Sequence, residues 1–153
     1  MSIVAIIQSM LAPGIMISAC GLLLLGMNNK YSIVVNRIRL LDDEKRKLKS
    51  VTGAPQQNPT SEGRLMSITM QLEKFAYRVK LVRNAVLSYS LAVAFFIISS
   101  LLIGLNFAIT GANIFIIVVI LFLTGMLSVL IGVIFAAMEV IKGYEIVRIE
   151  TQE

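Results

Sequence analysis

The chain has no histidine and a single cysteine, Cys20. The first absence removes the side chain best suited to proton transfer near neutral pH and the commonest metal ligand. The second excludes an intrachain disulfide, so cysteine usage says nothing about redox compartment. There is no glycine-rich phosphate loop either, and no carboxylate pair lies within apolar sequence. Acid–base, metal and nucleophile constellations all need groups that this chain does not own, so neither an enzyme nor a cofactor is expected.

Charge is missing over long stretches. Ile3 to Met27 is 25 residues without a formal charge, and Ala85 to Met138 is 54 more. With 57% hydrophobic residues, 15% charged residues and a mean hydropathy of +0.84, a soluble domain of 153 residues is excluded. A hydrocarbon core ~30 Å thick is crossed by about 20 apolar helical residues. The first block therefore supplies one span (3–27) and the second supplies two (85–105 and 114–138), joined by an uncharged turn over 106–113.

What is present is concentrated between those blocks. Asn28 to Asn84 holds twelve of the fourteen Lys and Arg residues, and Lys142 and Arg148 lie in the tail, 139–153. The positive-inside bias of cytosolic loops accounts for this asymmetry and for the net charge of +5 before nucleic acid need be invoked. The expected orientation is N-terminus out, with the central segment and C-terminus in. Ile17-Ser18-Ala19-Cys20 has the look of a lipoprotein cleavage box. No Lys or Arg precedes it, however, and the apolar run continues through Leu22 to Leu25, so a resident helix is expected.

The central segment carries two amphipathic patterns. Tyr31, Val34, Ile38, Leu41, Lys45 and Leu48 recur at steps of three and four, as do Leu65, Ile68, Leu72, Phe75, Val79 and Val82. Between them residues 50–63 include Gly53, Pro55, Pro59 and Gly63, which predicts a turn-rich loop. The fold class is thus an all-α membrane protein: three transmembrane helices with a cytosolic antiparallel helical hairpin between the first and second spans.

Three residue sets are candidates for function. On the first helix Gln8, Leu11, Ile15, Ser18, Leu22 and Asn29 share one arc, a candidate pore lining if several copies assemble; Ser18 bonding back to its own helix is the plainer alternative. Gly14 and Gly21 on the adjoining arc, and Gly125, Ser128, Gly132 and Ala136 on the third span, are small-residue stripes suited to close helix packing. Pro13 beside Gly14 predicts a local kink. Lys45, Arg46, Lys47, Arg78, Lys80 and Arg83 are candidate contacts for anionic lipid or a cytosolic protein. Glu139, the first charge after the neutral block, is expected to form an ion pair with Lys80 or Arg83 rather than to relay protons.

Ala12-Pro13-Gly14, Ser18-Ala19-Cys20, Leu22 to Leu25, Asn29-Lys30, Asn36-Arg37-Ile38-Arg39-Leu40-Leu41 and Arg83-Asn84-Ala85 together resemble a bacterial domain-of-unknown-function family of small three-span membrane proteins. That resemblance covers most of the chain and implies a bacterial cytoplasmic-membrane protein, with no activity to carry over. The layout is also similar to that of the TolQ, ExbB and MotA proton-channel subunits, which form rings, although their polar pore residues find no match here. Three spans are too few to enclose a path alone. The leading expectation is a cyclic homo-oligomer with an ion channel or pore lined by the first helix. The alternative is a non-conducting scaffold whose hairpin binds a protein partner or anionic lipid.

Overall fold

The computed structural model describes the backbone of residues 3–52, 59–108 and 115–150, and the side chains of residues 4, 7–50, 63–106 and 115–143. These residues form three α-helices: α1 (Ile3–Thr52), α2 (Pro59–Ala108) and α3 (Phe115–Glu150). No strand occurs among the described residues. At 1.5 Å per residue, α1 and α2 are each about 75 Å long, more than twice a bilayer core.

The helices run further than the turn signals predict. α1 continues through Ser50 to Thr52, and α2 is already helical from Pro59 through Gly63. Pro59 is tolerated because a first-turn N–H has no intrahelical partner in any case. Gly63 costs only about 1 kcal/mol in a helix, which 50 residues of packed helix outweigh. At the other end α2 includes 106–108, and α3 passes through Gly143 without a break. What remains of the two predicted turns, 53–58 and 109–113, lies outside the described residues.

Burial follows a seven-residue repeat. On α1 the buried positions are Pro13, Cys20, Met27, Val34 and Leu41; on α2 they include Ile68, Phe75, Val82, Tyr89 and Phe96. Ala85, Ala92 and Ser99 interleave at steps of three and four on α2. This is the spacing of a coiled-coil seam, in which a strict seven-residue period keeps one face on the partner. α2 packs against both other helices, whereas α1 and α3 barely touch.

The packing chemistry changes along the seam. Where charged residues flank it, Val34, Leu41, Ile68 and Phe75 form an aliphatic and aromatic cluster with Ile38, Leu48, Leu72 and Val79 around it. Burying each such side chain from water is worth roughly 1.5–3 kcal/mol. Where no charge flanks it, small residues of α3 meet large rings of α2. A Cβ at Gly125 would stand 2.8 Å from Phe96 and one at Gly132 would stand 2.6 Å from Tyr89. Ser128 Oγ donates to the Ser88 carbonyl at 2.8 Å, and Ala136 packs against the Tyr89 cluster. Lipid is as apolar as leucine, so close approach and hydrogen bonding drive association there.

Candidate functional site

At the junction of these two regimes each helix contributes one charged side chain to a single point. Lys30 on α1 is the first charge after the neutral N-terminal block, and Glu139 on α3 is the first after the second block. Arg78 on α2 lies four residues before Val82 and seven before Ala85, on the seam itself. Glu139 is seven residues after Gly132, again on the seam, and is only 2% exposed. Its Oε1 accepts from Arg78 Nη2 at 2.6 Å, and its Oε2 accepts from Lys30 Nζ at 3.1 Å.

Glu139 is thus paired with Arg78 and Lys30, not with Lys80 or Arg83 as the sequence reading expected. The reason is rotational phase. At 100° per residue, Lys80 and Arg83 point well away from the Arg78–Val82–Ala85 seam, and both are exposed. Arg78 is correspondingly turned inward. Its guanidinium lies 5.8 Å from the centroid of the Phe75 ring, a cation–π contact. On another side a Cβ at Gly143 would stand 3.0 Å from Nη2, so the missing side chain there makes room for the guanidinium. Arg78 Nε is buried and has no hydrogen-bond partner.

Two cations thus surround one carboxylate. A charge at this depth is held only if it is paired and hydrogen-bonded, and removing one partner leaves the others uncompensated. The arrangement fastens α3 to α2 and gives α1 and α3 one of their few points of contact. Beside it is an open cleft of about 410 Å³ lined by Lys30, Ile33, Val34, Arg78, Glu139, Val140 and Gly143. No group of three His, Cys, Asp or Glu side chains comes together among the described residues.

The other candidate residues are placed as follows. Gln8, Leu11, Ile15, Ser18, Leu22 and Asn29 are all exposed on the side of α1 turned away from α2. Ser18 Oγ donates back to the Gly14 carbonyl at 3.3 Å. Gly14 and Gly21 face open space, so no helix of the same chain approaches them. Ile7, Met10, Leu11, Gly14, Ile15 and Ser18 line an open groove of about 450 Å³ on this face. Arg46 and Lys47 are exposed and Lys45 is half-buried, roughly 22 Å along α1 from Lys30. The structure therefore does not join them to Arg78. Sequence reasoning gave Lys30 no role at a site, and the signal for Arg78 was its place in the seven-residue repeat of α2.

Three helices long and apolar enough to cross a membrane, joined by a charged cluster at one end of their neutral stretches, define a small helical membrane protein. The chain belongs to the family described as Protein of unknown function (DUF2721), whose model matches residues 10–149. No curated protein and no solved structure matches it.

Proposed function

We propose that the protein is a non-catalytic homo-oligomer of the bacterial cytoplasmic membrane, in which α1 helices of several copies line a narrow axial path for ions. The observation that carries this reading is the uncovered outer face of α1. It bears Gln8, Ser18 and Asn29 among apolar residues, and Leu22 on it is 73% exposed. Rings of Leu11, Ile15 and Leu22 would gate such a path by dewetting. Glu44 pairs with Arg64, and Val34 and Leu41 share a cluster with Ile68 and Phe75, which supports an antiparallel α1–α2 hairpin. The distribution of Lys and Arg supports a cytosolic hairpin and C-terminus, with the N-terminus outside. Single-channel recording in planar bilayers tests the reading. Ile15→Ser and Leu22→Ser are expected to raise leak current, and no conductance in either variant or in the wild type would refute it.

One observation favours a second reading, a non-conducting scaffold that holds a cytosolic protein or anionic lipid. Met66, Met70 and Tyr77 are exposed on one face of α2, outside its neutral stretch, with exposed Glu73 among them. Reversing the charges of Lys45, Arg46 and Lys47 should then abolish partner capture while leaving the oligomer intact. An unchanged set of partners would count against it. Nucleic acid is not a partner in either reading.

A further inference from the structure

We propose that the cleft beside Lys30, Arg78 and Glu139 binds the phosphodiester headgroup of an anionic lipid. The site does not depend on the pore reading, and it would exist in a single copy of the chain.

The charges carry the first part of the inference. Lys30 and Arg78 bring two positive charges to Glu139, so the cluster is left with one in excess. The Lys30 ammonium has three N–H donors and uses one on Glu139, and its side chain is 45% exposed at the cleft. An acceptor entering the cleft meets donors that the protein itself does not use. One phosphate charge would balance the cluster, and hydrogen bonds between ionised partners are roughly twice as strong as neutral ones.

The location carries the second part. Lys30, Arg78 and Glu139 form the charged floor of the cleft, and Ile33, Val34 and Val140 line it on the side away from the neutral stretches. Lys30 and Glu139 are the charges at which the neutral stretches of α1 and α3 end. The floor therefore lies at headgroup depth, where a lipid phosphate sits above its own glycerol and acyl chains. The cleft is open because α1 and α3 barely touch, so a lipid can enter from the side without crossing protein. The acyl chains of such a lipid would run back along the neutral stretches of α1 and α3, on the other side of Lys30 and Glu139.

The test is native mass spectrometry of the full chain released from mixed micelles of phosphatidylglycerol and phosphatidylcholine. Wild-type protein should retain phosphatidylglycerol preferentially. Lys30→Gln should lower that retention about tenfold, and Lys30→Arg should restore most of it. Arg39→Gln removes an exposed charge on the opposite face of α1 from Lys30 and should leave it unchanged. Glu139→Gln, which frees both cations from their internal anion, should raise retention several-fold. A purely structural triad gives no such rise. Equal losses in Lys30→Gln and Arg39→Gln, or no preference over phosphatidylcholine, would overturn the proposal. Displacement of the bound lipid by an excess of inorganic phosphate would assign the cleft to free anions and overturn it as well.

Discussion

Gly132 sits so close against the ring of Tyr89 that a Cβ on it would stand 2.6 Å from Cε1. Tyr89 is fully buried and packs with Met27, Val82 and Ala85. Gly132→Ala should therefore force α3 away from α2. Overpacking costs about 1–3 kcal/mol, against up to about 1 kcal/mol gained by removing a glycine from a helix. A net loss of about 1–2 kcal/mol is expected in unfolding of the purified protein by mixed detergent. Equal or higher stability would mean that α3 is not held at this distance.

Gly21 gives the opposite expectation, because a Cβ there meets nothing within 4 Å. Gly21→Ala should leave the stability of the single chain unchanged or raise it by up to about 1 kcal/mol. If the outer face of α1 is where copies meet, Gly21→Leu should dissociate the oligomer without altering unfolding of the chain. Size-exclusion chromatography with light scattering reads the first effect and circular dichroism the second. An oligomer unchanged by leucine would place the contact elsewhere.

Replacing Glu139 by leucine leaves Arg78 and Lys30 facing one another without their anion. Breaking a buried pair in this way typically costs about 3–5 kcal/mol, and Glu139→Leu should fall in that range. Adding Arg78→Met should recover much of the loss, since the remaining cation, Lys30, is half-exposed and reaches water. Arg64 and Glu44 provide the contrast. They pair at 2.8 Å but are 62% and 41% exposed, so Arg64→Ala should cost less than about 1 kcal/mol. Denaturation by mixed detergent orders the three variants, and a similar cost for Glu139→Leu and Arg64→Ala would refute the assignment.

The sequence makes some of this plain and conceals the rest for physical reasons. Val34, Leu41, Ile68 and Phe75 are recognisable as one packed stripe because burial along a helix has a fixed period. The partners of Glu139 were not, because Lys80 and Arg83 are as near the membrane edge in sequence as Arg78 is. Only the phase of the α2 seam separates them. Lys30 is a longer-range coincidence, since α1 and α3 share almost no surface to generate a pattern. The glycines are the clearest case. Gly14 and Gly21 look like Gly125 and Gly132 in one chain, yet only the second pair meets Phe96 and Tyr89. A small residue permits close approach but does not name what approaches. The same holds for the arc from Gln8 to Asn29, because lipid and a second copy of the chain present similarly apolar surroundings.

Cysteine chemistry separates lipid from an aqueous path on that arc. Cys20 is 1% exposed and packs with Ala92 and Phe96, so in the folded protein it should react with maleimide only when the seam opens. An opening cost of about 3 kcal/mol would slow labelling roughly 100-fold relative to the unfolded chain. Phe96→Ala, which leaves a cavity beside the thiol, should accelerate it. Two residues away, Ser18 faces outward, and Leu22 lies on the same side. In a Cys20→Ala background, Ser18→Cys and Leu22→Cys report what covers α1. A charged, membrane-impermeant maleimide should reach both in intact vesicles if the face lines water, with labelling at Ser18→Cys blocked by prior reaction at Leu22→Cys on the same side. If the face meets lipid or a dry contact between copies, the charged reagent should fail at both positions while a permeant one reacts in detergent. That result would remove the pore reading and leave the hairpin scaffold in its place.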